Sequence, residues 1–137
     1  MYIKLKSIKK SLKESKKLTA LFEIKTSKGA KKFTEKKTSF GYNNPDDKQN
    51  DYRLHKDIDR RNQYIIRHQK DLRTDDPTRA GYLSMFMLWN KPTLEASVKD
   101  YNRRLKIYNE TGKFPYEDLI NEAEQMMKEK ADKKKKE

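Results

Sequence analysis

Residues 81–105 read GYLSMFMLWNKPTLEASVKDYNRRL. From Leu83 to Trp89 every side chain except Ser84 is apolar, in a chain of 137 residues of which 40% are charged. Asn90-Lys91-Pro92 breaks the run. Beyond it Leu94, Val98, Tyr101, Leu105 and Tyr108 recur at helical spacing on one stripe. A helix apolar nearly all round is buried on several sides. The stretch therefore predicts a central helix over about 77–89 and an amphipathic helix over about 92–109 packed against it.

Before this stretch, Asp75-Asp76-Pro77 marks a boundary, with Asp76 suited to an N-cap and Pro77 to the first helical position. Leu54, Ile58, Arg61, Ile65, His68 and Leu72 fall at intervals of 4, 3, 4, 3 and 4, which predicts one helix over about 51–72. Gly41–Asp47 reads as a loop. Leu18–Ile24 and Lys32–Phe40 are β-prone and flank Thr26-Ser27-Lys28-Gly29. They predict a basic β-hairpin over 18–40, with Gly29 at positive φ in the turn and Phe33 and Phe40 as anchors. Residues 1–17 alternate apolar side chains with lysine, as an edge strand or a basic arm does.

After the stretch, Gly112 suits a helix stop and Pro115 a helix start. A last helix follows with Leu119, Ile120, Ala123, Met126 and Met127 inward, and the charge run ADKKKKE is expected to fray. The fold class expected is α+β, an N-terminal basic β-hairpin followed by a small bundle of about four helices. Its organisation is a basic arm at 1–17, an α+β module at 18–110, and a C-terminal helix with a Lys-rich tail at 111–137.

Hydrophobic residues make up 33% of the chain, low against the roughly 45–50% usual for globular domains. Such a chain builds a small core, and a partner is expected to supply part of its burial. Charge is uneven: residues 1–40 hold 13 lysines and 3 glutamates, so 10 of the 13 net positive charges lie there. That asymmetry points to an anionic partner. Without cysteine, disulfides and thiolate metal sites are excluded. No secretory apolar segment follows Met1, and the apolar run is far shorter than the ~20 residues a spanning helix needs, so no membrane span is expected.

Catalytic constellations are missing from the sequence. The four glycines at 29, 41, 81 and 112 form no phosphate-binding loop, and no serine sits in a nucleophile elbow. His55 and His68, thirteen residues apart on one predicted helix, lie about 20 Å apart at 1.5 Å per residue and cannot share a metal. The reading is a non-enzyme without catalytic residue, metal or cofactor. Lys25, Lys28, Lys31, Lys32, Lys36 and Lys37 beside Phe33 offer a basic surface to a phosphate backbone. Arginine instead concentrates in the helices, where Arg60, Arg61, Arg103 and Arg104 suit carboxylate-bearing protein surfaces.

Several motifs taken together resemble a family of short basic proteins of nucleocytoplasmic large DNA viruses. They are Phe40-Gly41, then Asp51, Tyr52, His55, Lys56 and Asp57, then Arg61, Tyr64, Arg67 and His68. Ala80, Gly81, Leu83 and Ser84 follow, then Leu88–Pro92, and finally Tyr101 and Arg104. The resemblance covers about residues 5–105. This chain departs from it in having Ser39 where the family has histidine, and in a fully apolar run around Met85. The resemblance implies a virion protein made in the host cytoplasm. It suggests a minor capsid component that cements major capsid subunits and contacts other minor capsid proteins, with self-association open to it. Tyr82, Met85, Phe86 and Trp89 and the arginine pairs 60/61 and 103/104 are the expected contacts. The alternative is a sequence-independent nucleic-acid-binding protein of the packaged genome, acting through the lysines.

Overall fold

The structure is a computed structural model and describes residues 1–136. The fold is α+β: a three-stranded antiparallel sheet with helices on one of its faces. Strand β1 spans Tyr2–Lys10, β2 Lys16–Lys25 and β3 Thr34–Tyr42, in the order β1-β2-β3. The expected hairpin is β2–β3, and residues 1–17 extend it: Tyr2–Lys10 is the edge strand rather than a free arm.

Two helices, α1 (Tyr52–His55) and α2 (Ile58–His68), replace the single helix expected over 51–72. Lys56 adopts φ 57° and breaks the helix, and Asp57 starts the next by accepting from Asp59 N at 3.0 Å and Arg60 N at 3.3 Å. A 3₁₀ segment, Gln69–Thr74, leads to the central element. There α3 (Ala80–Leu83) runs directly into a π-helical turn, Ser84–Leu88. Asp76 is no helix cap. It accepts from Thr78 N at 3.0 Å and Thr78 Oγ1 at 2.6 Å, a turn preceding the helix. Helix α4 (Leu94–Thr111) is capped by Thr93 and stopped by Gly112 at φ 81°, and α5 is Glu117–Lys136. Among the described residues the α-helices number five, against about four expected. The lysine run expected to fray is helical through Lys136, and Glu137 lies outside the described residues.

The central apolar run is the core. Tyr82, Leu83, Met85, Phe86 and Met87 are all 0% exposed. Ala20, Phe22 and Phe40 meet them from the sheet, Ile65 and Leu72 from the α2 side, and Tyr101, Leu105 and Phe114 from α4 and the turn after it. Buried phenols find carbonyls: Tyr101 donates to Pro77 O at 2.6 Å, and Tyr82 donates to Leu72 O. Of the two predicted hairpin anchors Phe40 is buried, whereas Phe33 is half exposed in the loop.

The sheet has one dry face. Ile3, Leu5, Ile8, Leu18, Ala20, Phe22, Ile24 and Phe40 face the helices. Strict alternation would carry Ile3 and Leu5 inward and Ile8 outward. A bulge between Leu5 and Ser7 inserts Lys6 as the extra residue and returns Ile8 to the inner face. Positive φ falls at Gly41 (80°) and not at the predicted Gly29. A Cβ on Gly41 would lie 2.7 Å from Leu88 Cδ1, so glycine lets β3 approach the π turn.

Candidate anion-binding sheet face

The other face of the sheet carries no helix. Register places Tyr2 with Lys25, and Lys4 with Glu23 and Glu35. Ser7, Leu21 and Lys37 form the next cross-strand row, and Lys9, Thr19 and Ser39 the last. Lys6, displaced by the bulge, reaches Glu23 at 3.3 Å, and Lys25 lies 3.7 Å from the same carboxylate. The face therefore has a neutralised half around Glu23 and a cationic half around Lys9 and Lys37. Of the 13 lysines in residues 1–40, only Lys6, Lys17, Lys25 and Lys36 form ion pairs among the described residues.

The six predicted lysines are not one patch. Lys25 and Lys37 lie on this outer face. Lys28, Lys31 and Lys32 are exposed in the loop after β2, beside Phe33. Lys36 points to the helix side, where its ammonium donates to Thr78 Oγ1 at 2.8 Å and lies 3.7 Å from Asp76. Sequence reasoning missed Lys4, Lys6 and Lys9, because residues 1–17 were read as an arm. The alternation of Ile3 and Leu5 with lysine marks Lys4 as outward, whereas the side taken by Lys9 depends on the bulge between Leu5 and Ser7.

The expected protein contacts divide differently. Tyr82, Met85 and Phe86 are fully buried inside the chain and present nothing to a partner. Trp89 is half buried and stacks on Tyr64, with ring centroids 4.2 Å apart, while Tyr64 stacks in turn on His68 at 4.0 Å. Burial pushes the Tyr64 phenol up to about 12. This aromatic ledge walls a cleft of about 330 Å³ between the sheet end and the helices. Beneath it Lys17 donates to Asp51 and Asn50, all but sealed from water, with Arg53 Nε 3.4 Å from the same carboxylate. Those charges are spent on one another. The break at Lys56 also brings the His55 ring 5.3 Å from Trp89, so the two histidines do not lie on one straight helix.

Each arginine pair is split by the 100° step between helix neighbours. Arg61 is 2% exposed and donates to Glu122 at 2.9 Å and Asn62 at 2.9 Å, holding α2 to α5. Arg104, 3% exposed, donates to Asp100 at 2.9 Å, Pro115 O at 2.8 Å and both oxygens of Asp118 at 2.6 and 2.8 Å. Its guanidinium also lies 4.9 Å from the Phe86 ring centroid. Burial alone would raise the Asp100 carboxyl, but hydrogen bonds from Arg104, Arg103 and Asn90 bring it down to about 2. Arg60 and Arg103 are exposed and pair with Asp47 and Asp100 at 3.6 and 2.9 Å.

No family model, curated protein or solved structure matches the chain. Among the described residues no helix is long and apolar enough to cross a membrane, and no group of three or more histidine, cysteine or acidic side chains is placed to hold a metal.

Proposed function

We propose that this is a non-catalytic binding protein that lays the outer face of its sheet on nucleic acid, without sequence preference. The observation that carries this reading is the cross-strand register, which puts Lys9 and Lys37 in the cationic half of one uncovered face, with Lys4 and Lys25 in the half they share with Glu23 and Glu35. Lys28, Lys31 and Lys32 are exposed in the loop that joins β2 to β3. A lysine-bearing sheet surface suits the regular charge of a phosphate backbone. It offers no arginine fork or amide for reading bases. Taken with the resemblance to large-DNA-virus proteins, the role is that of a basic protein accompanying the packaged genome in the virion.

The test is a gel-shift assay on random-sequence duplex with two charge-matched triple variants. Lys4→Glu/Lys9→Glu/Lys37→Glu is expected to abolish binding, whereas Lys99→Glu/Lys106→Glu/Lys128→Glu on the helices retains most of it. Equal losses would mean that net charge alone, not this face, does the binding.

A minor capsid role is the second reading. One observation favours it: the Trp89–Tyr64–His68 ledge, next to Tyr42 at 60% exposed, is an aromatic surface open to a neighbouring subunit. On that reading the protein fractionates with the shell of disrupted virions at a fixed ratio to major capsid protein. On the leading one it stays with the DNA and salt releases it.

A further inference from the structure

At the β1–β2 end the outer face hollows to a volume of about 520 Å³. Lys9, Lys10, Lys13 and Lys37 are among the residues that line it; Lys9 and Lys37 stand on the outer face, Lys13 lies in the β1–β2 turn, and Lys10 sits opposite inward Leu18 at the rim. Four hydroxyls join them, from Ser7, Ser11, Thr19 and Ser39. No carboxylate lines this hollow, although Glu110, Asp51 with Asp71, Asp71 again and Glu14 line four other concavities. The nearest acids on this face, Glu23 and Glu35, stand two residues beyond Leu21 and Lys37 of the lining, roughly 7 Å along their strands.

The hydroxyls are arranged to donate. Thr19 Oγ1 and Ser39 Oγ lie 2.9 Å apart and share one hydrogen bond. Ser11 donates its own proton to Ser39 at 3.5 Å. Whichever way the Thr19–Ser39 bond runs, one O–H of that pair has no acceptor in the chain. A free hydroxyl proton beside the lysines of the hollow, with no carboxylate in its lining, is a donor set for a phosphate oxygen.

We propose that this hollow is a phosphate subsite, occupied by a phosphodiester of the nucleic acid lying on the sheet. The inference rests on the reading given under Proposed function and adds a seat whose neutral hydroxyls contribute to affinity.

The test is fluorescence anisotropy on a labelled random duplex across a salt series, using the full chain. Thr19→Val and Ser39→Ala carry no charge change and lie on the wet face. Together they are expected to weaken binding roughly tenfold at every salt concentration. The slope of log K against log salt stays unchanged. Lys37→Gln is expected to lessen that slope by about 0.9. If the hydroxyl variants bind as wild type while Lys37→Gln still changes the slope, the sheet binds nucleic acid but the subsite is overturned. If wild type shows no salt-dependent binding, the underlying reading fails and the subsite with it. A third arm uses phosphatidylserine vesicles, because Leu12 beside the hollow is fully exposed. Vesicle binding lost in Leu12→Ser, with duplex affinity indifferent to the hydroxyls, would assign the hollow to a lipid headgroup instead. Melting curves of each variant confirm that the fold is intact.

Discussion

At the scale of single residues, Arg103 and Arg104 show how adjacent identical side chains take opposite roles. Arg104 is enclosed, and its removal leaves Asp100 half-partnered and the Pro115 carbonyl unpaired. Arg104→Ala is expected to cost about 3–5 kcal/mol, as breaking a buried ion pair does. Arg103→Ala, at an exposed pair, is expected to change stability by under about 1 kcal/mol. Urea denaturation of the two variants makes the comparison. Asp100 adds a pH signature. Its folded carboxyl is depressed to about 2 against an unfolded value near 3.9. Its contribution is therefore full above about pH 4 and is lost as pH falls through the folded value near 2. That contribution is roughly 2 kcal/mol for a side chain 13% exposed. An acid titration of stability is expected to show a component between pH 4 and 2 that is missing in Asp100→Asn. The identity of the arginines was legible in the sequence, but which of each pair is enclosed was not. Burial there depends on where α5 lies, and Glu122 and Asp118 bind Arg61 and Arg104 from that helix.

Among the elements, β1 decides most. Its outer edge is partly closed by α4: Asn109 accepts from Ile3 N and donates to Ile3 O, both at 2.8 Å, standing in for a strand neighbour. Asn109→Ala removes both bonds and is expected to cost about 1–2 kcal/mol. It also opens the edge to pairing between chains, so sedimentation velocity is expected to show self-association that wild type lacks. The sequence made the amphipathic α4 and the core of the central run readable, because apolar spacing there reports burial directly. It misled at 51–72, where the aliphatic intervals continue through Lys56 and Asp57 although the chain turns there. Asp57 was the available signal, a side chain suited to cap a new helix. Gly41 was read as part of a loop, since its need for glycine comes from Leu88, forty-seven positions away. Gly41→Ala forces both the strained φ and the close approach. It is expected to destabilise the protein by about 1–3 kcal/mol, measured by thermal melting.

For the whole molecule, the apolar run at 83–89 is the centre on which the sheet and four helical segments close. That run is consumed internally, and the surface is mostly charged, with Leu12, Phe33 and Tyr42 among its exposed apolar exceptions. The chain thus separates its tasks: helices cover the sheet from one side, and Lys4, Lys9, Lys25 and Lys37 stand on the other. The most direct test of that division is amide chemical-shift mapping of the labelled protein with a short duplex. Shifts concentrated at Lys4, Lys9, Thr19, Lys37 and the loop at 26–33, diminishing with salt, are the predicted result. Shifts centred on Tyr42, Tyr64 and Trp89, or none at low salt, would contradict it.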